Sequence, residues 1–125
     1  MSYSYTNCSG KYKVPASVRR EARLGLKLKA AGFDGGTATG WRRARQLINC
    51  DTVSGNTVKT MKAWFARHGP RAKNGGTSKP GYDKWVRHGK PTKPTKETKR
   101  KYRGAVAWLI WGGDPALKWV DGILL

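Results

Sequence analysis

Positive charge is the feature that most constrains how this chain folds. Its 125 residues carry 26 Lys and Arg against 7 Asp and Glu, a formal net charge of +19 at pH 7. Self-repulsion of this size opposes a compact monomer, so the charge is expected to serve a polyanionic partner. Nucleic acid is the leading candidate, because each phosphate that Lys or Arg neutralises releases condensed counterions. The alternative is a basic protein that packs among acidic proteins in a larger assembly.

Apolar residues nevertheless supply one real core. They make up 38% of the chain and include 6 Trp, 5 Tyr and 2 Phe, and the length suits one domain. We predict a flexible N-terminal arm over residues 1–13 and a single helical domain over 14–125. The arm contains no apolar stretch typical of a signal peptide, and no run in the chain approaches a membrane span. We therefore expect a protein that works inside a cell, is not secreted and has no membrane partner.

Glycine, proline and hydroxyl residues divide the domain into short helices. Apolar residues four apart predict a first helix that opens at Val14–Pro15 and ends at Gly32. Thr37 or Thr39 begins a second helix, and Ser54 is a good N-cap for a third. The expected N-caps have the short oxygen-bearing side chains that accept from first-turn N–H groups, which favours these boundaries.

Two further helices follow near the C-terminus. One runs from about Thr98 to Gly112–Gly113, and Asp114–Pro115 resemble the N-cap and first-turn proline of a closing helix. The sequence therefore predicts an all-α fold of about five short helices around one Trp-rich core, without strands. Cys8 and Cys50 are too few for a disulfide framework and are expected to be free thiols in a reducing compartment.

A long basic loop is predicted over residues 69–97, because Gly and Pro recur there too often for a continuous helix. A loop this long inside a compact domain is usually functional or disordered. Its sequence KPTKPTKETKRK, which continues past residue 97, resembles linker-histone tails in composition, and proline and self-repulsion are expected to hold it extended. Such a segment would follow a phosphate backbone without fixed register. The alternative is a loop that only adds solubility.

The stretch 41–68 has the proportions of a helix-turn-helix. On its second helix, polar and small residues occupy the face opposite the apolar stripe, as a major-groove reader requires. That face comprises Asn56, Lys59, Thr60, Ala63 and Arg67. Three interpretations remain open for it: base reading, phosphate contact, and an ordinary amphipathic helix with a solvated face.

The candidate nucleic-acid contacts form three groups, on the first helix, on the helix-turn-helix-like pair and in the basic segment. They are Arg19, Arg20, Arg23, Lys27, Arg42, Arg43, Arg45, Asn56, Lys59, Thr60, Arg67, Lys84, Trp85, Arg87, Lys90, Lys93, Lys96, Lys99, Arg100, Lys101 and Arg103. Trp85 either stacks on a base or anchors the loop to the core. The other tryptophans occupy apolar helix positions and are expected in the core.

Catalysis has little support in the sequence. The seven acidic residues are scattered, whereas metal-dependent nucleases need clustered carboxylates. A zinc site of Cys8, Cys50, His68 and His88 lacks the paired close ligands that real sites show, and Gly35–Gly36 lacks the P-loop pattern. We expect no enzyme activity, no cofactor, no metal and no small-molecule substrate.

Four strings occur together in an order that resembles a known module. They are VRREARLGLKLK at 18–29, GGTATGWRRARQL at 35–47, TVKTMKAWFARH at 57–68 and AVAWLIWGGDPALKW at 105–119. They resemble a small uncharacterised module of tailed bacteriophages and large DNA viruses, often encoded beside or fused to head and head-maturation genes. The resemblance implies a viral protein and brings no catalytic residues. The connector between His68 and Ala105 is longer and more basic here than the module implies.

Together these observations predict a non-enzymatic viral DNA-binding protein that contacts phosphates without reading sequence. We expect it in the virion, associated with the genome, or in the host cell interior, in the cytoplasm or in the nucleus of a eukaryotic host. Duplex DNA is the expected partner, with viral capsid proteins as a second class. The alternative is a minor capsid or cement protein whose basic loop threads between shell subunits.

Overall fold

Short helices and one pair of short strands make up the part of the chain that the computed structural model describes, residues 8, 10–73 and 76–125. In chain order they are β1 (Tyr12–Lys13), α1 (Ala16–Ala31), α2 (Ala38–Asn49), β2 (Thr52–Val53), α3 (Gly55–His68), α4 (Ser78–Arg87), α5 (Arg103–Ile110) and α6 (Gly113–Asp121). The mostly helical class is confirmed. None of the helices in these ranges is long and apolar enough to cross a membrane.

The predicted boundaries of α1, α2 and α3 are confirmed by their caps. Gly32 ends α1 in the left-handed conformation with φ 115°, which glycine adopts without steric cost. The Thr37 hydroxyl accepts from the Gly40 N–H at 3.2 Å, and the Ser54 hydroxyl accepts from the Thr57 N–H at 3.2 Å. Local chemistry therefore determines where the first three helices begin or end.

The expectation of no strands and free thiols is wrong. Tyr12 and Lys13 pair antiparallel with Val53 and Thr52, and Cys8 is joined to Cys50 in a disulfide. The end of the predicted arm is thus held against the link between α2 and α3. Residues 1–7 and 9 of that arm lie outside the described residues.

The predicted loop over 69–97 is also wrong, because α4 occupies Ser78–Arg87 within it. Pro80 lies in the first turn of α4, where its missing N–H costs no intrahelical bond. Trp85 is buried and its indole N–H donates to the Pro91 carbonyl at 2.9 Å. Of the two interpretations left open for Trp85, the structure supports the anchor.

The core is built around α5, which packs against α1, α2, α4 and α6. Trp64 stacks on Trp111 with ring centroids 4.8 Å apart, and Phe65 meets Trp108 edge to face at 5.1 Å. Such geometries add to the burial energy of the rings. The prediction of a Trp-rich core is confirmed for the buried rings, whereas Trp41 and Trp119 are only partly buried.

The two helices within 41–68 do not pack primarily on each other. α2 packs against α1 and α5, whereas α3 packs against α6. Their connection contains β2, and a hydrogen bond of 3.3 Å joins Gln46 to Thr57. The pair therefore has the order of a helix-turn-helix with different packing partners.

The closing helix begins two residues earlier than predicted. Gly112, with φ 99°, is the N-cap of α6, and Asp114 lies in the first turn. The Asp114 carboxylate accepts from the Trp108 indole N–H at 2.9 Å. A side chain expected to cap its own helix therefore bonds to the preceding one.

Candidate nucleic-acid interface

A groove between α4 and the start of α5 gathers five of the predicted phosphate contacts. It has a volume of about 480 Å³, and its lining contains no acidic residue. We call it the basic groove, and its cations are Lys84, Arg87, Arg100, Lys101 and Arg103. Lys84 is partly exposed and the four others are exposed, so the positive charge faces solvent.

Two glycines form the floor of the basic groove. A Cβ on Gly81 would lie 2.9 Å from the Gly104 Cα, and a Cβ on Gly104 would lie 2.9 Å from the Thr77 carbonyl oxygen. Real side-chain carbons do not approach backbone this closely, so the crossing requires hydrogen at both positions. The close approach of α4 and α5 places the cations of both elements along one groove.

The basic segment after α4 is folded, which corrects the expected extended chain. Thr95 and Thr98 bond each other reciprocally: the Thr98 hydroxyl accepts from the Thr95 N–H at 2.8 Å, and the Thr95 hydroxyl accepts from the Thr98 N–H at 3.1 Å. The Lys99 carbonyl accepts from the Asp34 N–H at 2.9 Å, and Pro94 lies against Gly32. These contacts tie the segment to the α1–α2 connection and orient Arg100 and Lys101.

The cations of the basic groove have little internal compensation. Arg100 lies 3.7 Å from the Asp34 carboxylate, and both side chains are largely open to solvent. Within the described residues, no carboxylate lies within ion-pair distance of the other four cations. An exposed pair contributes about 0–1 kcal/mol, so the arrangement favours an external anion over internal pairing.

His88 reports the potential beside the basic groove. Its Nδ1 lies 2.7 Å from the Tyr102 hydroxyl oxygen. Desolvation and then the positive charges of Lys101, Arg87 and Lys84 lower the pKa of His88 below its ordinary value. Three of the groove cations therefore lie close enough together to affect the same imidazole ring.

A different side of α4 holds a lysine that is paired with acidic residues. The Lys79 ammonium lies 3.0 Å from the Asp83 carboxylate and 2.9 Å from the Asp114 carboxylate. Burial lowers the pKa of Lys79, but hydrogen bonds and charges from Asp114 and Asp83 outweigh it and raise that pKa. We call Lys79, Asp83 and Asp114 the acid-paired side. These acids, scattered in the sequence, meet around one lysine.

Several predicted contacts lie outside the basic groove. The exposed ones on the helices are Arg20, Arg23, Lys27, Arg42, Asn56, Lys59, Thr60 and Arg67, and those in the basic segment are Lys90, Lys93, Lys96 and Lys99. Val58, Met61 and Phe65 are buried on the other face of α3, so the expected division of that helix into two faces is confirmed. The exposed α3 side chains do not line the groove.

Three predicted contacts have structural partners instead. Arg19 donates to the Cys50 carbonyl at 2.9 Å and to the Leu47 carbonyl at 3.3 Å, which supports the C-terminal end of α2. Arg43 is partly buried, bonds Gln46 and lies 5.6 Å from the Trp111 ring centre. Burial and the neighbouring charge of Arg42 lower the pKa of Arg43. Trp85, the third, is buried as described.

A second basic surface was not fully predicted. A cleft of about 690 Å³ between α1 and α2 is lined by Trp41, Lys29, Arg42 and Arg45 among others. The Lys29 ammonium lies 5.6 Å from the Trp41 ring centre. Trp41 was assigned to the core from helical spacing alone, and its position in the first turn of α2, among basic residues, was the signal for partial exposure.

The described residues form no metal site, and comparisons with known proteins found no match. No group of three or more His, Cys, Asp or Glu within the described ranges is placed to hold a metal ion, and the disulfide removes both thiolates from the zinc set considered above. No family model matches the chain, and no curated protein or solved structure does either.

Proposed function

We propose that this protein binds nucleic acid, with duplex DNA as its main partner, through backbone phosphates and without reading base sequence. The observation that carries the proposal is the basic groove, where five cations converge and no acid lines the wall. Phosphate contacts from Lys and Arg release counterions and provide sequence-independent affinity. The protein acts as a binding protein and not as an enzyme.

Backbone contact explains the groove better than base reading does. Lysine and arginine side chains in a surface groove can contact phosphate oxygens, whereas base reading needs an element that enters a DNA groove. The exposed face of α3 has the side chains for such entry, but it lies apart from the five convergent cations. We assign α3 a supporting phosphate contact.

The viral context of the proposal rests on the four strings that resemble the phage and large-virus module. It places the protein with the viral genome, in the virion or in the host cell, and makes capsid proteins a second class of partner. The alternative cement function required a loop that threads between shell subunits. Its support is weaker because α4 and the turns around Thr95 fold that segment onto its own domain.

Salt-dependent binding tests the proposal. The protein is titrated against fluorescent duplex DNA of random sequence at several salt concentrations. If the five groove cations each contact one phosphate, the logarithm of affinity should fall with the logarithm of salt with a slope of about 4–5. No binding at low salt, or a slope near zero, contradicts the proposal.

A pair of matched variants locates the interface. Arg87→Gln, Lys101→Gln and Arg103→Gln together remove three charges from the basic groove, and the slope should fall by about 3. Replacing Arg20, Arg23 and Lys27 by Gln removes the same charge from the exposed face of α1 and should change the slope less. An equal effect of both triple variants would mean that net charge, not the groove, drives binding.

A further inference from the structure

A second cavity adjoins the basic groove, and no step of the proposed binding mode uses it. It has a volume of about 450 Å³, within the size range of small-ligand sites. Thr77, Arg103 and Gly104 line both the groove and this cavity. We call it the inner cavity. A ligand that follows the groove therefore reaches it at Arg103.

Two helices begin at the wall of the inner cavity. Thr37 and Thr77, the N-cap residues of α2 and α4, both line it. A helix start carries partial positive charge and N–H groups without intrahelical partners. Gly35 and Gly36, with φ 142° and 78°, lead into α2 and keep side-chain atoms away from its first turn. The Gly40 N–H is already bonded to Thr37 and Pro80 has no N–H, so the donors of this wall are the remaining first-turn N–H groups.

One hydroxyl in the same wall has no hydrogen-bond partner. Ser78 is 4% exposed and lines the inner cavity, and within the described part of the chain its hydroxyl forms no hydrogen bond. The hydroxyl is not among the fully enclosed atoms without a partner, so a molecule in the cavity can reach it. Because polar side chains this deep normally find partners, Ser78 points to a ligand that supplies acceptor oxygens.

From these observations we infer that the inner cavity binds a phosphate monoester, the terminal phosphate of a nucleic acid strand whose inner phosphates lie in the basic groove. This inference rests on the proposed function for the strand itself. An internal phosphodiester continues along the groove in both directions, whereas a terminal phosphate has three free oxygens and leaves the line of the groove at Arg103. Two helix starts, Arg103 and the Ser78 hydroxyl match those oxygens.

Asp34 is the one acidic residue in the lining. Its carboxylate would affect a phosphate and a nucleobase edge in opposite directions, so it can distinguish these two ligands. Its carboxylate repels a phosphate, although Arg100 at 3.7 Å partly offsets that charge. A nucleobase edge would instead donate hydrogen bonds to Asp34. Asp34→Asn should therefore tighten binding of a terminal phosphate and weaken binding of a base edge.

The experiment compares single strands of about 12 nucleotides that end in hydroxyls, in a 5′-phosphate or in a 3′-phosphate. One phosphorylated form should bind about tenfold more tightly, as charge-assisted hydrogen bonds to a terminal group imply. A hydroxyl-ended strand two nucleotides longer controls for charge, because a terminal phosphate carries about −1.5 to −2. Affinity is measured by anisotropy with the label at the opposite end.

Matched variants connect the preference to the inner cavity. Arg103→Gln and Ser78→Ala should reduce the ratio of the two affinities toward one. Arg87→Gln removes one charge from the groove outside the cavity and should weaken both strands by the same factor. An unchanged ratio in Arg103→Gln and Ser78→Ala would place the preference elsewhere and overturn the inference.

The outcomes also separate this inference from the proposed function. If the phosphorylated and the longer hydroxyl-ended strands bind equally, the inner cavity does not recognise an end, while DNA binding stands. If neither these strands nor duplex DNA binds, but inorganic phosphate at millimolar concentration raises the melting temperature of the wild type and not of Arg103→Gln, the cavity binds free phosphate and the nucleic-acid proposal fails. If Asp34→Asn weakens phosphorylated and hydroxyl-ended strands alike, the cavity binds a base edge and the inference is overturned.

Discussion

The two sides of α4 differ in how their cations are balanced. On the acid-paired side, Lys79 contacts two carboxylates and its ammonium lies 5.0 Å from the Tyr82 ring centre. In the basic groove, Lys84 and Arg87 on the same helix have no carboxylate within ion-pair distance among the described residues. One helix thus divides its cations between internal ion pairs and a solvent-facing groove.

The largest expected effect comes from a substitution that displaces α4 and so disturbs both of its sides. Gly104→Ala places a Cβ 2.9 Å from the Thr77 carbonyl oxygen and 3.2 Å from the Gly81 Cα. Because both neighbours are backbone, α4 must move away from α5, and we expect a loss of about 1–3 kcal/mol in unfolding free energy. DNA affinity should fall as well. Urea unfolding and anisotropy measure the two effects.

Gly55→Ala is the matched control for that change. A Cβ there would meet only side chains at ordinary contact distance, 3.5 Å from Tyr12 and 3.7 Å from Leu125. The substitution should be neutral or stabilise the protein by up to about 1 kcal/mol. Equal destabilisation by the two alanines would contradict the close crossing of α4 and α5.

Smaller effects are expected from single lysine substitutions, which should change stability on one side of α4 and DNA affinity on the other. Lys79→Met leaves Asp83 and Asp114 without their cation and should cost about 0.5–1 kcal/mol of stability, with little change in DNA affinity. Lys84→Met makes the same replacement in the basic groove. It should weaken DNA binding several-fold at low salt and lower the salt slope by about 1, with stability nearly unchanged. If the two variants change stability and DNA affinity to the same extent, the two sides of α4 do not have the different roles proposed for them.

The smallest effect depends on pH. Burial and the charge of Asp114 raise the pKa of half-buried Glu21, while Lys90 and Arg20 lower it less. A raised acid pKa means that stability is full below the ordinary value of 4.5 and decreases as pH rises through the folded value. Glu21→Gln mimics the protonated form and should melt higher than wild type at neutral pH.

That difference should disappear below about pH 4.5, where wild-type Glu21 is protonated in both states. Thermal unfolding across pH measures it. Glu97→Gln removes the same charge from an exposed position and controls for net charge. If the difference in melting temperature between Glu21→Gln and the wild type is the same at every pH, Glu21 affects stability through packing alone.

The sequence predicted those parts of the fold that local chemistry determines. Gly32, Thr37 and Ser54 mark helix ends with groups that act within a few residues, and the apolar spacing located the buried face of α3. It did not predict α4, because Pro80 and Gly81 are typical of loops in a local pattern. In the folded chain, Gly81 packs closely against Gly104 and Trp85 is buried in the core. Tertiary contacts form that helix, and they are not visible in a local pattern.

The sequence predicted which residues form the candidate site but not that they lie together in one groove. Lys84, Arg87, Arg100, Lys101 and Arg103 were all named from charge, but their convergence depends on the α4–α5 crossing and on the turns that begin at Thr95. The inner cavity was missed altogether. Its parts come from four separate segments of the chain, and none of them carries a recognisable motif.

The Cys8–Cys50 disulfide makes the stability of this protein depend on the redox conditions around it. A reducing cytosol keeps thiols apart, whereas an oxidising exterior lets Cys8 and Cys50 join. Closing a loop of 42 residues stabilises a fold by about 4 kcal/mol through the entropy of the unfolded chain. The loop encloses α1 and α2 and leaves the basic groove outside it. Oxidising conditions therefore stabilise the fold through a link that lies outside the basic groove.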